Sequence, residues 1–296
     1  MTQPKVLVAT DLGAAADEAI RQADRWATLS GAELVVCHVT NEDAPYWSLL
    51  PMRQAEVHAR AIAATSRAGL VVTERVRQIT GRDGVQVITR AGHAEAEICS
   101  LADELAPDLV VVGSRGLEGF DRLLAGSVSE RVVRHASCPV LVARSSPEGG
   151  GVLAATDFSD PAAPALASAF KVATWLGAPL TVMHALDMMP SSMMSLTVPF
   201  GGSVLPLPVG DQSAIREAAA SMLREQLAQQ HADGEILVED GPAATVIAEV
   251  AQRLGSRLVI VGTRGRTGLS RLALGSVAAS VLAAAHCSVL VVRLRA

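Results

Sequence analysis

Short apolar runs alternate with longer amphipathic stretches along the whole chain. In the first half, the apolar runs predict buried strands and the amphipathic stretches between them predict helices. The predicted strands are residues 5–9, 34–39, 85–89, 109–112 and 140–143. The predicted helices are residues 14–29, a stretch within 53–80 broken near Gly69, 94–105 and 128–135. Because strands and helices alternate throughout, we predict an α/β fold with parallel strands and right-handed crossovers.

A glycine and serine spacing, G-x2-G-x9-G-S, occurs twice at a distance of 149 residues. The two copies are Gly113, Gly116, Gly126 and Ser127, and Gly262, Gly265, Gly275 and Ser276. The first predicted strand and its Thr-Asp end also recur, 146 residues later. A period this long indicates a duplicated domain rather than a solenoid. We therefore predict domains at residues 1–145 and 151–296, with a linker at 146–150 that is rich in Gly and Pro.

The second half repeats the order of elements with local differences. Ser159 or Asp160 is expected to cap its first helix, with Pro161 at the first helical position, and its second helix is expected at residues 212–231. The loop after its second strand, residues 188–210, contains two methionine pairs that the first half lacks. This loop is either a plain surface loop or a lid or docking patch.

Composition narrows the function classes. The net charge is −5 and the sequence contains no run of Lys or Arg, so nothing favours nucleic acid as a partner. The four cysteines form no C-x-x-C pair and are expected to be buried thiols of a reducing compartment. The chain leads directly into a strand, and prolines interrupt the uncharged stretch 188–210. We expect a cytoplasmic protein that does not enter a membrane.

Three kinds of polar feature meet where the winding of such a sheet reverses, beyond the first and fourth strands of each half. Asp11 and Asp157 end the first strands, the glycine loops follow the fourth strands, and Ser127 and Ser276 begin the next helices. Backbone N–H groups of such loops and helix starts bind phosphate. A carboxylate some distance from the loop suits a ribose or a base, because it would repel a phosphate directly. The pattern therefore indicates a nucleotide site in each half.

Each of these features also has a purely structural alternative. Ser127 with Glu130 can form a capping box, although the second half has Ala279 instead of the glutamate and still has the serine. Asp11 and Asp157 can be helix caps. His38 and His184 end matched strands, where histidines with satisfied hydrogen bonds are common.

Motifs of well-known enzymes are absent from the sequence. It contains no G-x-x-x-x-G-K-[ST] loop, no G-x-G-x-x-G after the first strand, no H-E-x-x-H and no G-x-S-x-G. Arg115 and Arg264 lie inside the glycine loops and can reach phosphates or solvent. We predict binding rather than catalysis.

Both halves resemble the universal stress protein family. The resemblance lies in the run from Val111 to Gly116, in Gly126 to Glu130 and in Cys138 to Val142, and again in the second copy. It implies two doubly wound parallel five-stranded sheets with strand order 3-2-1-4-5, and ATP with Mg²⁺ at each switch point. It also implies pairing through the fifth strands, so that the tandem chain forms an internal pseudo-dimer.

The resemblance further implies roles for matched residues. Asp11 and Asp157 would contact the adenosine, and Val39 and Ala185 would meet the adenine through backbone atoms. The remaining residues implied for the site are Ala9, Thr10, Val112, Gly113, Arg115, Gly116, Gly126, Ser127, Val128, Ser129, Ala155, Thr156, Val261, Gly262, Arg264, Gly265, Gly275, Ser276 and Val277. Ala278 replaces the hydroxyl of Ser129, which removes one implied phosphate contact from the second half.

These observations predict an ATP-binding stress-response regulator whose nucleotide state biases its conformation or its binding to a protein partner. A slow ATP hydrolase and a structural scaffold with vestigial sites are the alternatives. Whether two chains form a homodimer stays open.

Overall fold

The computed structural model describes residues 3–40, 54–114, 127–146, 149–187, 212–263 and 274–293, without the side chains of residues 54–64 and 161. The methionine-containing loop 188–210 therefore lies outside the described residues, as does most of each glycine loop.

Strands and helices alternate in both halves, as predicted. The first half contains β1 (Lys5–Thr10), α1 (Ala14–Ser30), β2 (Glu33–Thr40), α2 (Gln54–Thr80), β3 (Gln86–Ala91), α3 (Ala94–Leu105), β4 (Leu109–Gly113), α4 (Ser127–His135) and β5 (Val140–Ala143). The second half contains β6 (Val152–Ala155), α5 (Ala163–Leu176), β7 (Leu180–Leu186), α6 (Gln212–Gln229), β8 (Glu235–Asp240), α7 (Ala243–Arg253), β9 (Leu258–Gly262), α8 (Ser276–Ala284) and β10 (Ser288–Val292).

The strands form one ten-stranded sheet in the order β3-β2-β1-β4-β5-β10-β9-β6-β7-β8. Each half keeps the implied order 3-2-1-4-5 with parallel neighbours. The two halves are joined because β5 and β10 pair antiparallel, with Leu141 opposite Leu290. The predicted pairing through the fifth strands is confirmed, and the internal pseudo-dimer is one continuous sheet.

Helices cover both faces of this sheet, which explains why the strands are apolar at consecutive positions. Leu7 and Val8 are neighbours on β1, point to opposite faces, and are both fully buried. No helix in the described part of the chain combines the length and hydropathy needed to cross a bilayer.

Helix α2 runs without a break from Gln54 to Thr80, so the predicted interruption near Gly69 is wrong. A glycine inside a helix costs about 1 kcal/mol, which packing of one helix face readily offsets. Val72 and Val76 supply that packing, because both are buried against the sheet.

Replacing Gly69 by alanine is expected to raise the free energy of unfolding by about 0.5–1 kcal/mol, because alanine is the better helix former. The added methyl group would lie 3.6 Å from Thr89 Cγ2, an ordinary van der Waals distance. Urea denaturation of the Gly69→Ala variant measures the change. A fall in stability would show that the helix is strained at this position.

The first helix of the second half begins differently from the prediction. Ser159 precedes a single 3-10 turn, Asp160–Ala162, and α5 starts only at Ala163. The Ser159 side-chain oxygen accepts no backbone N–H of this turn, so it does not act as a cap. Its hydroxyl instead donates a hydrogen bond of 2.5 Å to Asp157 Oδ1, at the end of β6.

Candidate functional site

Two equivalent crevices open at the carboxyl edge of the sheet, where the winding reverses in each half. The first crevice lies between the ends of β1, β2 and β4 and the starts of α1, α3 and α4, with a volume of about 480 Å³. The second crevice lies between the matching elements of the second half, with a volume of about 150 Å³. Ligand sites commonly measure about 300–1,000 Å³, so the first crevice is the roomier candidate.

The structure brings most of the predicted site residues to these crevices. Those lining the first are Ala9, Thr10, Asp11, Val39, Val112, Gly113, Val128 and Ser129. Those lining the second are Ala155, Thr156, Asp157, Ala185, Val261, Gly262, Gly275, Ser276 and Val277. Ser127 begins α4 but does not line the first crevice. Arg115, Gly116, Gly126, Arg264 and Gly265 lie outside the described residues.

Gly113 is required where β4 ends because the start of α1 comes very close to it. A Cβ atom at Gly113 would lie 2.6 Å from the carbonyl oxygen of Ala15 and 3.0 Å from the backbone nitrogen of Ala16. Ala15 and Ala16 also line the first crevice. This wall of the crevice is therefore formed largely by backbone.

Helices α4 and α8 begin at the crevices. Gly275 precedes α8 in an extended conformation, and no side chain caps the helix there. The first amides of a helix lack partners within the helix and carry its positive dipole end, so they favour an anion. Ser276 and Val277, the first two residues of α8, are exposed and line the second crevice. Phosphate oxygens at this place could accept hydrogen bonds from main-chain N–H groups alone.

The capping-box alternative gains no support from α4. Ser127 is already the first residue of the helix, and the carboxylate of Glu130 forms an ion pair with Arg134 at 2.8 Å.

Ser129 holds α4 against the end of β4. Its hydroxyl is buried and donates a hydrogen bond of 2.6 Å to the carbonyl oxygen of Gly113. Since that proton is used, the hydroxyl has no hydrogen left for a phosphate oxygen. Ala278, its buried counterpart in the second half, lacks this bond but leaves the helix amides unchanged. The difference between the halves thus concerns how the helix is attached.

Asp11 and Asp157 close matching turns beyond β1 and β6. Asp11 Oδ1 accepts the N–H of Gly13 at 2.9 Å, and Asp157 Oδ1 accepts the N–H of Ser159 at 3.1 Å. Because Gly13 itself precedes α1 as the cap residue, the helix-cap alternative for Asp11 is wrong. The turns hold one carboxylate at each crevice.

The same turns contain a feature that the sequence did not reveal. Leu12 and Phe158 occupy equivalent positions and both have left-handed backbone angles, with φ of 67° and 62°. Such a conformation costs a non-glycine residue about 1–2 kcal/mol and clusters at functional sites. Thr10 Oγ1 accepts the N–H of Leu12, and Thr156 Oγ1 accepts that of Phe158, both at 3.1 Å. The only hint of these turns in the sequence was the Thr-Asp pair that precedes both residues.

His38 and His184 also line the crevices. Their Nδ1 atoms lie 2.8 Å from the Thr10 carbonyl oxygen and 2.7 Å from the Thr156 carbonyl oxygen. A carbonyl oxygen only accepts, so Nδ1 carries a hydrogen and a neutral ring leaves Nε2 as an acceptor. The expectation of satisfied histidines at the strand ends agrees with this geometry.

Sequence reasoning missed the contribution of α3 and α7. Ala94 and Ile98 line the first crevice, and Ala243 and Ile247 line the second. The members of each pair lie 149 residues apart, so the repeat itself marked them.

The crevices offer little nucleophilic or metal chemistry. Cys37 lines the first crevice, but burial raises the pKa of its thiol to about 12, so it stays protonated at neutral pH. Within the described ranges, no three His, Cys, Asp or Glu side chains are grouped closely enough to hold a metal ion.

The fold and the crevices define a tandem, doubly wound α/β protein with one crevice at each switch point. The model of the universal stress protein family matches residues 4–144 and 151–293. The chain belongs to this family of stress-response proteins.

Similar proteins cover either the whole chain or one half. Universal stress protein Rv2005c of Mycobacterium tuberculosis is 29% identical over 315 residues, covering 99% of both chains. Universal stress protein YxiE of Bacillus subtilis is 33% identical over 145 residues, covering 47% of this chain and 98% of its own. A crystal structure of a universal stress protein from Archaeoglobus fulgidus shares the fold, with a TM-score of 0.69 and 21% identity over 100% of both chains.

Proposed function

We propose that each crevice binds an adenine nucleotide, ATP with Mg²⁺, and that the protein regulates a stress response through its nucleotide state. The observation that carries this proposal is the pair of crevices at equivalent switch points, each meeting the start of a helix. Such a site favours a compact, multiply charged anion.

The first-turn amides of α4 and α8 would hold the phosphates. Asp11 and Asp157, already fixed by their turns, would accept hydrogen bonds from ribose hydroxyls. The backbone ends of β2 and β7, at Val39 and Ala185, would meet the adenine.

Mg²⁺ needs no cage of protein ligands for this role. It commonly binds substrate phosphates and retains several waters, which agrees with the lack of a metal-ligating cluster among the described residues. When bound, the ion would neutralise part of the triphosphate charge.

Binding without fast hydrolysis is the better supported activity. Burial keeps the Cys37 thiol protonated, so Cys37 supplies no thiolate nucleophile to the first crevice. An ATP-bound chain would present a different surface to a protein partner from an empty one. We place this action in the cytoplasm, without nucleic acid or membrane, and in two domains divided at residues 146–150.

Mass spectrometry of small molecules released from the purified, denatured protein tests the proposal. We expect ATP or ADP in the extract and slow single-turnover hydrolysis of added ATP. Fast turnover that Asp11→Ala with Asp157→Ala abolishes would favour a hydrolase. An extract without nucleotide, together with no ATP-dependent thermal shift, would favour the vestigial scaffold.

A further inference from the structure

Two arginines form side-chain hydrogen bonds from one half of the chain to the other. Arg144 follows β5 and Arg293 follows β10, so the two residues are equivalent in the repeat. We propose that they act as positioning residues that couple the two crevices, so that a nucleotide in one crevice strengthens binding in the other. This inference rests on the proposed function.

Arg144 reaches from the first half to the end of α8 in the second half. Its guanidinium donates hydrogen bonds to the carbonyl oxygen of Leu282, in the last turn of α8, and to that of Cys287 at 3.2 Å. Burial lowers the pKa of Arg144 from its usual value, but a guanidinium remains charged at neutral pH. A cation is therefore held at the negative end of the helix dipole.

Arg293 makes the reverse connection. It is buried, and its guanidinium donates to the carbonyl oxygens of Val133 at 3.3 Å and Arg134 at 2.9 Å. Both carbonyls belong to the last turn of α4, where oxygens lack partners within the helix. Each half thus supplies a cation that donates to at least one carbonyl oxygen in the last turn of the other half's helix.

These are the two helices that begin at the crevices. Val128 and Ser129 of α4 line the first crevice, and Ser276 and Val277 of α8 line the second. Each helix has nine residues, which at about 1.5 Å per residue makes a short rigid rod. One end of the rod meets the ligand, and the other end is held by the opposite half.

Each arginine is also tied to the crevice of its own half. Ser114 lines the first crevice, and its N–H donates at 3.1 Å to the carbonyl oxygen of Ala143, the neighbour of Arg144. Thr263 lines the second crevice, and its N–H donates at 3.0 Å to the carbonyl oxygen of Val292, the neighbour of Arg293. A continuous bonded path therefore leads from the first crevice through Arg144 to α8.

The backbone of Arg144 is fixed at the junction of the halves. Its N–H donates to Ser288 Oγ at 3.0 Å, and its carbonyl oxygen accepts from Gln22 Nε2 at 2.9 Å. A ligand that orders the end of β4 should therefore also order Arg144 and the helix that it caps. Binding of the second ligand would then cost less conformational entropy, so the first ligand raises the affinity for the second. By thermodynamic linkage, the second ligand raises the affinity for the first by the same factor.

Hydrogen exchange of α8 tests the path through Arg144. The Val277→Asp background places a negative charge at the start of α8, so that added ATP fills the first crevice alone. We expect ATP to slow exchange in α8 about fivefold in this background, within the usual range of coupling between sites. Arg144→Gln should abolish that response, and Arg144→Lys, which keeps the charge, should restore part of it.

Arg293→Gln is the matched control, because it removes the equivalent cation but leaves the Arg144 path to α8 intact. It should retain the α8 response. Calorimetry on the same samples separates the two proposals. If ATP binds the first crevice and α8 responds equally with and without Arg144, or does not respond at all, the coupling is overturned and nucleotide binding stands. If ATP does not bind, the proposed function is overturned and the coupling falls with it.

Discussion

Val128→Asp combined with Val277→Asp is expected to weaken ATP binding at least about a hundredfold, which corresponds to about 3 kcal/mol. Both valines line the crevices, at the second position of α4 and of α8. A carboxylate there would lie where the phosphates are proposed to bind, and like charges a few ångströms apart repel by about 1–4 kcal/mol. Isothermal calorimetry with ATP and Mg²⁺ measures the loss.

Val128→Asn with Val277→Asn is the matched control, since asparagine has nearly the shape of aspartate without its charge. Aspartate in the first turn of a helix interacts favourably with the helix dipole, so the melting temperature of the aspartate variant should be no lower than that of the asparagine variant. Each single aspartate substitution should remove one of two bound nucleotides. Equal ATP affinity for the aspartate and asparagine variants would contradict a phosphate at the helix starts.

Gly113→Ala is expected to lower the free energy of unfolding by about 1–3 kcal/mol, because overpacking against rigid backbone cannot be relieved by a side-chain movement. The new Cβ would lie 2.6 Å from the Ala15 carbonyl oxygen and 2.8 Å from its carbonyl carbon. The strand end and α1 would have to separate, which would also displace the wall of the first crevice. Urea denaturation and ATP titration of the same variant measure both effects.

Gly69→Ala provides the comparison, since it adds the same methyl group where space exists and should change stability in the opposite direction. If Gly113→Ala were as stable as the parent chain and bound ATP normally, the close approach of α1 to β4 would not shape the crevice.

The apolar pattern predicted the strands because each buried strand is a local run and the repeat supplied every element twice, whereas the order of the strands in the sheet was implied by the family resemblance. β5 and α3 begin and end at the predicted residues, and the paired fifth strands follow from the family resemblance. The prediction of a helix break near Gly69 was wrong because tertiary packing of α2 outweighs the low helix propensity of glycine.

The finer chemistry of the site depends on contacts between residues distant in sequence. The hydroxyl of Ser129 was expected to face a phosphate, but it bonds to the Gly113 carbonyl, a partner that only the folded helix brings near. The left-handed angles of Leu12 and Phe158 contradict the preference of both residue types. Arg144 and Arg293 look like ordinary polar residues after strands until their partners across the junction are known.

Calorimetric titration of the nucleotide-free wild-type chain with ATP and Mg²⁺ tests most directly whether both crevices bind a nucleotide. We expect two ATP molecules to bind per chain, with the roomier first crevice filled before the second. A titration without binding heat at several temperatures, with an unchanged melting temperature in excess ATP, would contradict it.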